Sequence, residues 1–388
     1  MACARVDLDE PSRLSVIDAC RKGVDWGRLL TAARYHEIEP LVFRHLSGAG
    51  CDTCPPVVLE ALRAESRRTS VWNLALAAEA AAVFERFRSE GIRAVLLKGP
   101  VAAVAYYGDL GLRRFLDIDV LVEQERALDA WRLLSERRYA HKFSLGIDGE
   151  AHLVRHGSEL LFRDASGRFV DLHWNIWPPG FTFTPGSEAP WKDREFVQLG
   201  TANVETLGCE ATVLFFCLHG AKHNWAGLKW VTDLAELVRA RPTLRWGRVL
   251  DWSARPGRRV LIDLGLHLAH RLLGAPVPPD VLARGASDSR VEGLVDEAIR
   301  GILGFDAPPR WLLAEIWNAL YRRAMSSRAD QLRYLHDALL APTPHEWELV
   351  PLPAALFPLY YGLRPIRLAW KHSPLGRLFS RRRRSSWE

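Results

Sequence analysis

The stretch "RRFLDIDVLV", residues 113–122, places Asp117 and Asp119 one residue apart within an otherwise apolar run. Side chains alternate between the two faces of a β-strand, so both carboxylates share one face while Ile118 and Val120 point to the other. Burying two neighbouring carboxylates is costly unless a cation lies between them. The stretch therefore predicts either a solvent-exposed strand end or a site for positive charge.

The sequence around this strand predicts a small α/β module over residues 91–178. "IRAVLLKG" (92–99) is typical of a short strand and "PVAAVAYY" (100–107) of a helix. Residues 159–176 have the pattern of a β-hairpin, with turn residues at 164–167. The apolar spacing thus changes from helical to strand-like within this module.

Helical patterns flank the module on both sides. Residues 1–90 form a predicted N-terminal helical part, and residues 179–345 a predicted helical domain with one helix from about 211 to 240. Residues 346–388 are predicted to form a basic, partly disordered C-terminal tail. The predicted fold class is α+β, a small mixed-sheet module flanked by N-terminal and C-terminal helical parts.

The positive charge is concentrated at the C-terminus. Residues 364–388 contain eight Lys or Arg and one Glu, a net +7 within a chain total of +6, so residues 1–363 carry about −1. A near-neutral body argues against a large RNA-binding surface. For the tail itself the sequence leaves three interpretations: a disordered solvated tail, weak contact with an anionic membrane surface, or contact with nucleic acid. No apolar run is long enough for a transmembrane helix.

The six cysteines are scattered and no signal peptide is evident, which predicts a cytoplasmic protein with reduced thiols. Cys51 and Cys54 form one C-x-x-C without a second ligand pair, and are interpreted as two thiols in a loop rather than as a zinc or redox site.

A third acid, Asp171, lies in "RFVDLHW" (168–174), the second strand of the predicted hairpin. There it is expected to lie beside Asp117 and Asp119. Three converging carboxylates suit a pair of Mg²⁺ ions, which clamp the attacking and leaving oxygens of an in-line displacement. His173 is interpreted as a structural residue on the opposite face from Asp171.

Upstream, "LLKGP" (96–100) ends a strand at Lys98 and Gly99 and begins a helix. A glycine at this junction lets a phosphate approach the backbone, and a helix N-terminus favours an anion. Lys98 supplies a point charge for a phosphate oxygen, and Arg113 is expected to pair with another.

The predicted 211–240 helix contributes a further candidate. His219 and His223 are four residues apart and share a helical face. Zinc is disfavoured because the glutamate of H-E-x-x-H is absent and no third ligand is evident. His223 or its neighbour Lys222 is expected to contact the nucleotide or the acceptor; the alternative is polar residues capping a Trp-rich packed face.

Several motifs resemble the uncharacterised nucleotidyltransferase family of the polymerase-β-type superfamily: "GIRAVLLKG", "YYGDLGLRRFLDIDVLV", "VDLHWNI", "HGAKHNWAGLKWVTDLAEL" and "LPAALFPLYYGLRPIRL". The resemblance implies that Lys98 and Gly99 form the nucleotide-phosphate turn. It also implies that Asp117 and Asp119 are the paired metal ligands and Asp171 the third carboxylate. Two positions depart from the pattern: Leu116 stands where Ser or Gly is more usual, and Arg114 where Pro is expected.

These observations lead to the hypothesis of an enzyme, an Mg²⁺-dependent nucleotidyltransferase. It is expected to use two Mg²⁺ ions and to move AMP from ATP, or a nucleoside monophosphate from another NTP, onto an acceptor hydroxyl with release of pyrophosphate. The acceptor, a small molecule, peptide or RNA end, is not specified by any motif. The alternative is a catalytically degenerate fold acting as a binding or scaffold protein in a biosynthetic operon.

Overall fold

The computed structural model of the chain describes residues 1–48, 53–176, 189–254, 258–305, 319–325 and 328–373. Helices α1–α4 span Glu10–Lys22, Trp26–His36, Glu39–Gly48 and Pro56–Ser89. The next elements are β1 (Ala94–Leu96), α5 (Pro100–Tyr107), β2 (Asp117–Val122), a 3₁₀ turn (Gln124–Arg126), α6 (Ala127–Glu136), α7 (Ile147–His156), β3 (Glu159–Arg163) and β4 (Phe169–His173). The predicted N-terminal helices, the strand–helix–strand order and the 159–176 hairpin are confirmed.

The remainder of the described chain is mostly helical. It comprises α8 (Ala189–Lys192), β5 (Arg194–Leu199), β6 (Ala202–Leu207), α9 (Cys209–Lys222), α10 (Leu228–Ala240), α11 (Trp246–Ser253), α12 (Arg259–Leu273), α13 (Pro279–Ala286), α14 (Ser289–Leu303), α15 (Ala319–Ala324), α16 (Arg328–Leu340), α17 (Pro344–Leu349), a 3₁₀ segment (Ala354–Leu359) and α18 (Tyr360–His372). Part of the predicted tail, up to His372, is therefore helical; residues 374–388 lie outside the described part. Within that part, no helix is long and apolar enough to cross a membrane.

The six strands form one mixed sheet in the order β3-β4-β2-β1-β6-β5. The pairs β3–β4 and β5–β6 are antiparallel, whereas β1 and β6 run parallel. Such a sheet with helices before and after it confirms the predicted α+β class. The β5–β6 hairpin was not predicted: residues 194–207 lie within what the sequence indicated as a helical domain.

The chain divides into two compact units that alternate along the sequence. The first contains Met1–Glu85, Val95–Ile118 and Pro185–Ser327, and the second contains Arg86–Ala94, Asp119–Thr184 and Arg328–Glu388. The division at residues 90, 178 and 345 stays a prediction from the sequence.

In the first unit the predicted single helix over 211–240 is wrong, because two helices replace it. Asn224 and Trp225 adopt positive φ values of 54° and 51°, which end α9 before α10 begins. The turn places the Trp225 side chain in the core, where it is fully buried. A Cβ built on Gly220 or on Gly265 would lie 2.5 Å or 2.9 Å from this indole, so two glycines make room for it. Burying a large aromatic ring outweighs helix continuity here.

The second unit has its own core around the strands from Asp119 onward. Val120, Val122, Phe162 and Val170 have no exposed surface. Val120 follows Asp119 in β2, and Val170 precedes Asp171 in β4, so these two acids lie on the face opposite the two valines.

Candidate metal and nucleotide site

The turn at Gly99 is shaped for a close approach to the backbone. Gly99 precedes α5 with φ 66° and ψ −122°, a conformation that favours glycine. A Cβ at this position would lie 3.3 Å from the carbonyl oxygen of Asp117. The predicted strand–glycine–helix junction is therefore present, with a helix N-terminus directly after it.

Lys98 lies against the first aspartate of the D-x-D pair. Its Nζ is 3.3 Å from Oδ1 of Asp117, and the lysine side chain is only 12% exposed. The ammonium and the carboxylate compensate each other's charge without any ligand. The prediction that Lys98 contacts a phosphate stays a prediction.

Positive groups gather around the end of α9 in the same unit. Burial lowers the pKa of His219 well below its ordinary value, and nearby positive charges add to the effect. Those charges are on His223, Lys98, Lys222 and Lys229. The His223 ring is stacked on Trp230 with centroids 4.8 Å apart, and its side chain is exposed. This basic part of the first unit includes the predicted ligand-binding residue His223, while Lys98 and Lys229 are paired with Asp117 and Glu37.

Arg113 has a protein partner. Its Nε and Nη2 donate to the two carboxylate oxygens of Asp233 at 2.6 and 2.7 Å, and the Tyr107 hydroxyl donates to the same carboxylate at 2.7 Å. Burial would lower the pKa of Arg113, but Asp233 outweighs it and holds the pKa above its ordinary range. Two nitrogens that a phosphate would use are thus bonded to Asp233, and phosphate binding by Arg113 remains only a prediction.

Arg114 and Leu116, the two residues that depart from the family pattern, differ in their surroundings: Arg114 contacts acids, whereas Leu116 is exposed. Arg114 lies 3.6 Å from the buried carboxylate of Glu39 and 4.0 Å from that of Glu65, so its guanidinium compensates buried charge. Leu116 is 48% exposed.

In the second unit, Asp119, Asp171 and His173 meet in one cluster. His173 Nε2 is 3.4 Å from Asp119 Oδ1 and 3.4 Å from Asp171 Oδ2. The other ring nitrogen, Nδ1, is 3.2 Å from Glu159 Oε2. One ligand atom from each of the first three residues lies within 4.8 Å of the others. Two of the three predicted carboxylates are therefore joined by a histidine.

The interpretation of His173 as facing away from Asp171 is wrong. The two residues are separated by one position in β4, so strand alternation places them on the same face. The β3–β4 register pairs Glu159 directly with His173, which brings a third carboxylate to the ring. The observed register is centred on residue 166, which pairs 159 with 173; the predicted turn at 164–167 is centred half a residue earlier and does not fix this pairing.

Burial and the neighbouring charges shift the pKa values of both His173 and Asp171. Burial opposes the charged imidazolium, but Asp171 and the contacts with Asp119 and Glu159 raise the pKa of His173 well above its ordinary value. Burial also raises the pKa of Asp171, which His173 only partly offsets. Three carboxyl groups face one imidazole ring, and either a proton on Asp171 or a bound cation would reduce the repulsion between them.

Comparison with known proteins assigns the chain to a family. Residues 22–274 match the model of a family described as uncharacterised nucleotidyltransferases. The chain belongs to this uncharacterised nucleotidyltransferase family. Among solved structures it is similar to an antigenic nucleotidyltransferase-like protein from Paracoccidioides brasiliensis, with 15% identity over 55% of this chain and 93% of that one, and a TM-score of 0.34. No curated protein matches the chain.

Members of a nucleotidyltransferase family use a nucleotide and divalent metal, and the second unit of this chain has donors that fit a metal ion. Asp171 Oδ1 is buried without a hydrogen-bond partner, although a buried carboxylate oxygen normally has one. Carboxylate oxygens suit Mg²⁺ and Mn²⁺, and an imidazole nitrogen suits transition metals. The donor set of Asp119, Asp171 and His173 is therefore competent to hold a divalent cation.

The oxidation state of one cysteine differs from the reduced thiols that the sequence predicts. Among the described residues Cys3, Cys54, Cys209 and Cys217 are free, whereas Cys20 is disulfide-bonded. The expectation that all thiols are reduced is thus wrong for Cys20. Cys51, half of the C-x-x-C, lies outside the described residues.

Proposed function

We propose that this protein is a metal-dependent nucleotidyltransferase. It moves a nucleoside monophosphate, AMP from ATP in the first instance, onto an acceptor hydroxyl and releases pyrophosphate. Family membership supports the transferase class, and the cluster of Asp119, Asp171 and His173 carries the metal requirement. Two Mg²⁺ ions, when bound, would stabilise the attacking and leaving oxygens of the displacement.

In this proposal the three aspartates of the sheet have separate roles. Asp119 and Asp171 hold metal, and Asp117, on the same face of β2 as Asp119, contributes the remaining carboxylate. Asp171 is also assigned to accept the proton of the acceptor hydroxyl, as a carboxylate beside the metal.

The triphosphate is assigned to the basic part of the first unit. The Gly99 amide and the N-terminus of α5 bind a phosphate oxygen, and Lys98 exchanges Asp117 for phosphate when the nucleotide enters. His223, exposed and stacked on Trp230, contacts the nucleotide.

The test begins with nucleotide binding, because the acceptor is undefined. The full chain is titrated with ATP, GTP, CTP and UTP in the presence of Mg²⁺ or Mn²⁺, first in equilibrium binding and then with pools of small molecules, peptides and RNA. Pyrophosphate among the products marks nucleotidyl transfer, whereas ADP marks phosphoryl transfer. Binding of no nucleotide by the intact chain would overturn the proposal, and binding without turnover would favour the scaffold alternative.

Matched variants locate the site. Asp171→Asn and Asp119→Asn are expected to abolish metal-dependent nucleotide binding or transfer. Asp148→Asn, the same change at an exposed position of α7, is the control and is expected to behave as the wild type. Equal activity of all three variants would show that the cluster is not the metal site.

We further propose that the C-terminal helices contact an anionic membrane surface. Ile366 and Trp370, one helical turn apart on α18, are 67% and 57% exposed, while Leu368 is buried. This exposed apolar face lies within residues 364–388, which carry a net charge of +7, and so matches an interface of apolar lipid chains and anionic headgroups.

Vesicle sedimentation tests this contact. The full chain is expected to bind vesicles containing anionic lipid at low salt and to be released at high salt, because screening weakens the electrostatic part. The double variant Ile366→Glu, Trp370→Glu should lose binding, while Leu74→Glu, at an exposed position of α4, should not. Equal behaviour of the two variants, or no binding to anionic vesicles, would refute the contact.

A further inference from the structure

The Nε2 atom of His173 lies between the carboxylates of Asp119 and Asp171. Nε2 is equidistant, at 3.4 Å, from one oxygen of Asp119 and one of Asp171. Donors held at about 2.1 Å from a common ion at angles of 90–110° are separated by about 3.0–3.4 Å. The nitrogen is therefore at ligand spacing from each oxygen, and the three atoms lie within 4.8 Å of one another.

The other side of the ring faces a third carboxylate, that of Glu159. Glu159 pairs with His173 across the β3–β4 ladder, and its Oε2 is 3.2 Å from Nδ1. Histidines that bind metals commonly give their second ring nitrogen to a carboxylate, which fixes the orientation of the ring and makes the first nitrogen a better ligand. Glu159 Oε2 is near enough to take this role once Nδ1 carries a proton directed at it, although the two atoms form no hydrogen bond in the structure.

We infer that His173 is itself a metal ligand, and that the site formed with Asp119 and Asp171 prefers a divalent transition-metal ion that accepts nitrogen, such as Zn²⁺ or Fe²⁺, to Mg²⁺; Mn²⁺ serves as the spectroscopic probe of the site. Mg²⁺ takes oxygen ligands almost exclusively, whereas imidazole nitrogen suits transition metals. This inference rests on the proposed function only in placing the metal at these aspartates. It concerns which ion is bound and by which atoms.

The competing interpretation is that His173 acts as a fixed cation. In that case the imidazolium bridges the carboxylates, as the contacts of both ring nitrogens would also allow. The two interpretations differ in one observable: whether a nitrogen enters the coordination shell of the bound ion.

Pulsed electron paramagnetic resonance of Mn²⁺ bound to the full chain reads that observable directly. We expect a ¹⁴N coupling typical of a ligated imidazole in the wild type and its loss in His173→Gln. His156→Gln, the same substitution at an exposed histidine of α7, is expected to retain the coupling. Circular dichroism confirms that each variant is folded.

Affinities provide a second measurement. His173→Gln is expected to weaken Zn²⁺ binding by about tenfold or more and Mg²⁺ binding by much less, so the preference for Zn²⁺ over Mg²⁺ shrinks. Glu159→Gln, which keeps the ligand and changes only its support, should weaken Mn²⁺ binding while the ¹⁴N coupling persists. The Glu159→Gln variant therefore still tests the inference if the His173→Gln variant fails to fold.

The outcomes are separable from those of the proposed function. Bound Mn²⁺ without ¹⁴N coupling, or no Mn²⁺ binding, would overturn the inference, even if nucleotide binds with Mg²⁺. A ¹⁴N-coupled Mn²⁺ site in a chain that binds no nucleotide would leave the inference standing and refute the nucleotidyltransferase proposal.

Discussion

The buried pair of Arg113 and Asp233 offers a sharp test of whether an arginine serves folding or ligand binding. The sequence predicts that Arg113 contacts phosphate, whereas the structure bonds it to Asp233 through two nitrogens at 2.6 and 2.7 Å. Their side chains are 11% and 6% exposed. The perturbation is a double-mutant cycle: Arg113→Met, Asp233→Leu, and both together.

The magnitude follows from what each single change leaves behind. Arg113→Met leaves the Asp233 carboxylate buried with the Tyr107 hydroxyl as a donor. Removing one partner of a buried ion pair costs about 3–5 kcal/mol, because the other charge remains desolvated. The double variant replaces both charges by apolar groups, so its free energy of unfolding should be within about 2 kcal/mol of the wild type. The coupling free energy of the cycle should therefore exceed about 2 kcal/mol.

Urea unfolding measures the cycle, and nucleotide binding by the folded double variant decides the role. Arg271→Ala, which removes an exposed partner of Glu292, is the control and should cost less than about 1 kcal/mol. If Arg113 is structural, the double variant binds nucleotide like the wild type. A stable double variant that no longer binds nucleotide would refute this reasoning and restore the phosphate contact predicted from the sequence.

Three further predictions concern stability. Gly99→Ala should cost about 1–3 kcal/mol in urea unfolding, because its positive φ and the Asp117 carbonyl 3.3 Å from a new Cβ disfavour any side chain; an unchanged midpoint contradicts this. Burial lowers the pKa of His36 to about 4 from 6.5, so the neutral ring stabilises the fold fully above pH 6.5, and up to about 3 kcal/mol is lost as the pH falls towards 4. Unfolding measured across this range should show that slope in the wild type and lose it in His36→Asn. Glu346→Gln should destabilise the C-terminal helices by about 2–4 kcal/mol, because its buried carboxylate holds Arg367; hydrogen exchange confined to that region checks this, and unchanged protection would exclude it.

Local rules predicted the parts of the site that depend on neighbouring residues. The Gly99 turn, the strand at Asp117–Val122 and the 159–176 hairpin follow from glycine conformation, side-chain alternation and turn composition. The same alternation also places His173 beside Asp171, and here the interpretation, not the information, was at fault. The family resemblance added the assignment of these residues to nucleotide and metal binding, which local rules do not provide.

Other features depend on tertiary packing and could not be predicted from the local sequence. The break between α9 and α10 exists because the Trp225 ring fits where Gly220 and Gly265 leave space, and those residues are far apart in sequence. The pairing of Arg113 with Asp233 joins residues 120 positions apart. Periodicity is preserved through such a break, so a pattern of apolar residues predicts helix on both sides without showing where it stops.

The two aspartates of residues 113–122 show why neighbouring buried acids alone are weak evidence for metal. Asp117 is compensated by Lys98, and Asp119 lies against His173, so each carboxylate has a positive or protonatable partner from the chain itself. A lysine contact solves the charge problem as well as an ion would, and it therefore does not discriminate between an enzyme and a scaffold. The His173 cluster offers more, because His173 Nε2 lies 3.4 Å from an oxygen of each aspartate and Asp171 Oδ1 is buried without a hydrogen-bond partner. The metal hypothesis for this nucleotidyltransferase family member therefore depends on the residue that follows the third aspartate by two positions, and less on the D-x-D pair.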